Sequence, residues 1–163
     1  MQHRGLTRLL ALAIAGASSV SGCSSLTGPD EQCNTSDNIR ICTGNDEYAT
    51  GSTVDFTVTN LGQVSVYQDM CSGGTVGRRK VGDEWSPVSG TARVCREDQT
   101  IEDVIANMRL LEPGKTLTDQ IKSSPFAFQG FWKIQVYIVD QDGQRIREQP
   151  YDSPVFDIFP SAG

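Results

Sequence analysis

Gly51-Ser-Thr-Val-Asp-Phe-Thr-Val-Thr-Asn-Leu-Gly62 (GSTVDFTVTNLG) decides how the rest of the chain is read. Val54, Phe56 and Val58 fall on one face of an extended chain, and Asp55, Thr57 and Thr59 on the other. A period of two residues marks a strand with one face in a core and the other in solvent. Asn60-Leu-Gly62 then turns the chain.

The same grammar extends to both sides. Val64–Gln68 begins another strand, followed by Arg78-Arg-Lys-Val81, a turn at Gly82-Asp-Glu84, and Trp85-Ser-Pro-Val88. Met108-Arg-Leu-Leu111 leads into Glu112-Pro-Gly114, where Pro pre-sets φ and Gly is free to take a positive one. Leu117 and Ile121 mark a further short strand. Phe131–Val139 is the strongest strand, turned by Asp140-Gln-Asp-Gly143 into Gln144-Arg-Ile-Arg147, and Val155–Phe159 is the last. Helical periodicity appears only at Thr100–Met108, where Ile101, Val104, Ile105 and Met108 share a face and Thr100 is placed to cap. Seven or eight short strands with no crossover helices predict an all-β fold, an antiparallel sandwich over residues 39–160.

The totals fit one such domain: 163 residues, 37% hydrophobic, 21% charged, with 16 Gly and 7 Pro for turns. Formal net charge is −6. Arg4 and Arg8 sit in a leader without acids, so removing them leaves twelve of the 14 Lys+Arg against 20 Asp+Glu, a net −8. That balance excludes a nucleic-acid partner, whose phosphates require a basic face, and disfavours an electrostatic grip on anionic lipid.

The leader itself is short and positive over Met1–Arg8, then apolar and uncharged over Leu9–Ala17. About nine apolar residues are far fewer than the roughly 20 of a membrane-crossing helix, but they suit the apolar region of a signal peptide. The end, Val20-Ser-Gly-Cys23, resembles the lipobox of bacterial lipoproteins, with Val in place of the commoner Leu. The resemblance implies a signal peptide over 1–22, a diacylglyceryl thioether on Cys23 and acylation of its new amine. Several buried acyl chains anchor a protein stably in a membrane. Ser24 stands where an Asp would signal inner-membrane retention, which points to the outer membrane. Residues 23–38, polar and containing Gly28-Pro29, read as a lipidated N-terminus and flexible tether.

With Cys23 lipidated, Cys33, Cys42, Cys71 and Cys95 remain, an even number in an oxidising compartment. Two disulfides are expected out of three possible connectivities, with Cys33–Cys42 and Cys71–Cys95 favoured. A zinc site has no support: there is no Cys-x-x-Cys pair, and the single histidine, His3, lies in the leader.

The order of motifs resembles the small immunoglobulin-like domains of bacterial lipoproteins and secreted proteins. The resemblance rests on Gly51–Gly62, Val66-Tyr67 followed by Cys71, Trp85 after the Arg/Lys strand, Leu111-Glu-Pro-Gly114, Gly130-Phe-Trp-Lys-Ile134 and Ser153-Pro-Val-Phe156. It implies an immunoglobulin-like sandwich of seven or eight strands. Trp132 stands where such domains usually carry Tyr, so a tyrosine-corner hydrogen bond is not implied. Fold alone does not assign function.

Catalytic constellations are missing from the sequence. Without a histidine in the mature chain, no Ser-His-Asp or Cys-His site can form. Asp83-Glu84, Glu97-Asp98, Glu102-Asp103 and Asp140/Asp142 fall in turns or polar stretches and read as solvated charge. Asp140-Gln-Asp-Gly143 lacks the later ligands of a calcium loop and reads as a hairpin turn. No enzyme activity and no cofactor are expected. Two features point to contact with a partner. Arg78-Arg-Lys80 reads either as a guard on an edge strand or as a contact for an acidic partner. Phe126, Phe128, Phe131 and Trp132 cluster and read either as core, with Trp132 and one Phe expected there, or as a binding hot spot if Phe126 and Phe128 cap a loop.

The sequence therefore leads to a non-enzymatic, lipid-anchored envelope protein. Its immunoglobulin-like domain is expected to bind an envelope protein or glycan, using Phe126, Phe128, Arg78 and Arg79. The alternatives are a passive structural subunit of an envelope assembly, and a protease inhibitor presenting loops 71–75 and 126–131.

Overall fold

A computed structural model of the chain describes residues 31–70, 75–90, 101–106, 108–122 and 129–161. Cys23, Cys71, Cys95, Phe126 and Phe128 lie outside these described residues, and with them the expected lipidation site, the expected second disulfide and the expected binding loop.

Among the described residues the fold is all-β, built from thirteen short strands and one short helix. The strands are β1 (Gln32–Ser36), β2 (Ile39–Thr43), β3 (Glu47–Ala49), β4 (Thr53–Asn60), β5 (Val66–Gln68), β6 (Thr75–Val81) and β7 (Glu84–Gly90). After α1 (Ile101–Ala106) come β8 (Arg109–Leu111), β9 (Thr116–Lys122), β10 (Gly130–Val136), β11 (Ile138–Val139), β12 (Tyr151–Asp152) and β13 (Phe156–Phe159).

One sheet runs β1-β2-β4-β9, all antiparallel. The second runs β3-β13-β10-β6-β7, with β12 added on β10. A small third sheet runs β11-β5-β8 and contributes Val66, Leu111 and Ile138 to the core. The first core strand is shared: β2 pairs antiparallel with β4 in one sheet, while β3 pairs in parallel with β13 in the other. That division, with β4–β9 facing β13-β10-β6-β7, is the immunoglobulin-like strand order.

The alternation that opens the sequence reading is what builds the core. Val54, Phe56 and Val58 of β4 are buried, and they meet Trp132, Ile134 and Val136 of β10 from the opposite sheet. Tyr48 and Phe156 add an edge-on ring pair at 5.3 Å. Cross-sheet burial of this kind is the main favourable term in such a fold.

Turn chemistry sets the registers. Ser36 pairs with Ile39, leaving Asp37-Asn38 as a two-residue loop in which both φ are positive, 47° and 63°. These are the conformations a type I′ hairpin needs, and Asp and Asn tolerate them better than other side chains. Val81 pairs with Glu84 across Gly82-Asp83, where Gly82 alone takes a positive φ of 60°, as in a type II′ turn.

Four expectations change. Gln32–Ser36, assigned to the flexible tether, forms β1, because its neighbour Ile39–Thr43 supplies a hairpin partner and Cys33–Cys42 locks the pair. Phe131–Val139 is not one strand: it passes from the second sheet to the third at Tyr137, whose carbonyl accepts the Asp69 N–H at 2.9 Å. Gln144–Arg147 is not a strand; only Arg145 makes an isolated bridge, to Val139. The Arg78-Arg-Lys80 run does not guard an edge, because β6 lies inside its sheet between β10 and β7.

Candidate functional site

The outer face of the β13-β10-β6-β7 sheet collects the partner-binding candidates that lie among the described residues. Residues directly opposite on neighbouring strands point to the same side of a sheet. Trp132 is buried, so Phe131 and Lys133 on either side of it point outward. Lys133 lies opposite Arg78, and Arg78 opposite Pro87. The β10–β6 pairing ends at Trp132–Arg79, and its register carried one residue further sets Phe131 level with Lys80. Lys80 is opposite Trp85, Phe131 is opposite Asp157, and Asp157 is opposite Glu47.

The result is a row across five strands: Glu47, Asp157, Phe131, Lys80, Trp85. Phe131 is 57% exposed, a large value for a benzyl group in the middle of a sheet. Acids occupy the β3–β13 side of it and the cations Lys80 and Arg78 the β6 side.

Beside this row the polar groups are fixed in place. Lys133 Nζ donates to Asp152 Oδ2 at 2.7 Å and stands 4.8 Å from the centre of the Trp85 ring. Asp152 Oδ1 accepts from Gln135 Nε2 at 2.7 Å. Arg78 Nη1 donates to the Trp85 carbonyl at 3.2 Å, and its Nε is buried without a hydrogen-bond partner. Held this way, Trp85 and Arg78 present a preset surface with little rotamer freedom left to lose on binding.

Of the two arginines expected to meet a partner, only Arg78 belongs to this face. Arg79 lies opposite buried Trp132, on the other side of the sheet, and its Nε donates to the Gln129 carbonyl at 3.1 Å. Trp132 occupies the core as expected. Lys80, Phe131 and Asp157 were within reach of sequence reasoning through the strand alternation, once Trp132 is placed inward. Glu47 and Trp85 join them only through pairings between distant segments.

Elsewhere the titratable groups serve the fold. Asp140 Oδ1 accepts the N–H groups of Asp142 and Gln144, both at 2.9 Å, so it caps its own turn. Glu102 and Asp103 are exposed in the first turn of α1. The one cluster of potential metal ligands among the described residues is Glu31, Cys33 and Cys42, and its two sulfurs are joined to each other as a disulfide. A depression of about 170 Å³ lies between the β1–β2 turn and the β4–β5 loop, with Val64 and Ile146 among its lining residues. Burial raises the hydroxyl pKa of Tyr48 and Tyr151, and neither lies on the outer face.

No protein-family model matches the chain, and no curated protein matches it either.

Proposed function

We propose that this is a non-enzymatic, lipid-anchored envelope protein. Its immunoglobulin-like domain holds a protein or glycan partner on the outer face of the β13-β10-β6-β7 sheet. The observation that carries the binding reading is that Arg78 and Lys80 sit on an interior strand, with Lys80 level with exposed Phe131 and Arg78 opposite Lys133. Cations on an edge strand serve to repel a second edge. On an interior strand that task is absent, while an exposed aromatic ringed by charge is the composition of a binding hot spot. The anchoring rests on Val20-Ser-Gly-Cys23 and the short apolar leader.

A photo-crosslinking side chain placed at Lys80 in intact cells tests the face. The expected result is capture of a discrete envelope component that Phe131→Ala abolishes and a substitution on the far sheet, such as Thr118→Ala, leaves unchanged. Equal capture with and without Phe131→Ala would overturn the proposal. Cys23→Ala tests the anchor: it should abolish incorporation of labelled fatty acid, and continued incorporation would refute the lipid assignment.

A further inference from the structure

Resting on the reading of the outer sheet face as the binding surface, we infer that its partner is a second copy of this chain. The two copies would meet face to face about a two-fold axis that runs along β10.

Charge is distributed unevenly about Phe131, with an acid on one neighbouring strand and a cation on the other. Strands in a sheet are about 4.8 Å apart. Asp157 on β13 and Lys80 on β6 therefore flank Phe131 at equal distances on opposite sides. Two identical faces can pack under a two-fold axis only if that axis lies in the plane between them. An axis along β10 carries each residue to the mirror-opposite strand position of its partner. Phe131 then meets Phe131, and each Lys80 lies over the other copy's Asp157.

The next position out follows the same rule. Glu47 on β3 and Trp85 on β7 lie two strands from β10 on either side, so they too come into register. The alternative axis, across the strands, would set Lys80 over Lys80 and Asp157 over Asp157. Like charges in contact disfavour it, so the face admits one orientation and rejects the other. Lys133, which falls near its own copy, already has its charge matched by Asp152 at 2.7 Å.

The size of the face sets the strength. Five strands, about 19 Å across, form a patch at the low end of the range for specific interfaces. The dimer is therefore weak in dilute solution. Two lipid anchors in one membrane raise the effective concentration and favour it.

Sedimentation equilibrium of the purified full chain tests this, with circular dichroism confirming that each variant folds. A concentration-dependent monomer–dimer equilibrium that weakens with added salt is expected. Lys80→Glu sets like charges against Asp157 twice, once per symmetric contact, and should weaken association about tenfold or more. Asp157→Lys should do the same by opposing Lys80. The decisive measurement mixes the two variants. A Lys80→Glu chain and an Asp157→Lys chain have only opposite charges to offer each other, so the mixture should associate where neither does alone. A monomer at every concentration, or a mixture no tighter than its parts, would overturn the self-association. If envelope crosslinks at Lys80 still depended on Phe131 in that event, the face would bind something else and only this inference would fall. If those crosslinks were also lost, both would fall.

Discussion

Arg147 Nη1 donates to Asp37 Oδ2 at 3.0 Å, joining the segment before β12 to the turn of the β1–β2 hairpin 110 residues earlier in the chain. The same guanidinium reaches Ser36 Oγ at 3.2 Å and the carbonyls of Gln149 and Pro150, and it lies 3.9 Å over the Tyr151 ring. β1 is polar and exposed along its whole length, so it has no apolar face to bury. Its attachment depends on this arginine, on the disulfide and on its ladder with β2.

Arg147→Ala should therefore lower stability by about 1–2 kcal/mol, through lost packing on Tyr151 as much as lost charge. The hairpin amides should exchange with deuterium faster than those of β4. Arg147→Lys keeps the charge but not the planar fork, and should recover less than half of the loss. Full recovery by Lys in a urea titration would show that geometry is not what matters.

The disulfide makes a separate contribution. Cys33 and Cys42 are opposite each other on β1 and β2, and the loop between them is short. Closing about ten residues removes on the order of 2–3 kcal/mol of unfolded-chain entropy. The paired Cys33→Ser, Cys42→Ser variant should lose that or somewhat less, because the type I′ turn already biases the unfolded chain toward the hairpin. An unchanged unfolding midpoint would refute the contribution.

Asn60 is a buried polar group with every bond accounted for. Its Nδ2 donates to the carbonyls of Val64 at 2.8 Å and Leu111 at 3.0 Å, and its Oδ1 accepts the Gly62 N–H at 2.8 Å. It fastens the end of β4 to β8 and to the loop that opens β5. Asn60→Ala would remove all three of these bonds, the one to Leu111 buried, and should cost about 2–4 kcal/mol. Asn60→Asp would direct a carboxylate at two carbonyl oxygens and should cost at least as much. Thermal unfolding measures both, and a loss below about 1 kcal/mol for Asn60→Ala would count against the assignment.

How much of this was legible depends on the range of the interaction. β4 and β10 could be read from alternation because their apolar residues face one core, and Gly82-Asp83 from local turn chemistry. β1 could not, since Gln32-Cys-Asn-Thr-Ser36 has no apolar face, and Arg147, which helps to hold its end at Ser36, lies more than a hundred residues away. Three-residue β3 takes its identity from its parallel pairing with β13. The outer face was half legible. Arg78-Arg-Lys80 drew attention as a charge run, but whether β6 is an edge or an interior strand is settled by its pairing with β10. The same pairing separates Arg78 from Arg79. It also sets Phe131 level with Lys80.

Two buried tyrosines make the fold sensitive to alkaline pH. Burial raises the pKa of Tyr48, against a smaller opposing effect from the Asn45 N–H that its hydroxyl accepts at 3.0 Å. Burial also raises Tyr151, opposed in part by the nearby Arg147 charge. An exposed tyrosine in the unfolded chain ionises near about 10. Above that pH the unfolded chain has released protons that the folded chain still holds, so stability falls as pH rises. Below it both states are neutral and these two groups contribute no pH dependence. Urea unfolding should thus be flat in this respect up to about pH 9.5 and weaken beyond pH 10. The double variant Tyr48→Phe, Tyr151→Phe should flatten the alkaline limb. At pH 7 the single variants should part company. Tyr48→Phe removes the acceptor of the Asn45 N–H and should cost about 1 kcal/mol. The Tyr151 hydroxyl is buried without a hydrogen-bond partner, so Tyr151→Phe should be neutral or stabilising by up to about 1 kcal/mol. A Tyr151→Phe variant less stable than the parent at pH 7 would show that the hydroxyl has a partner after all.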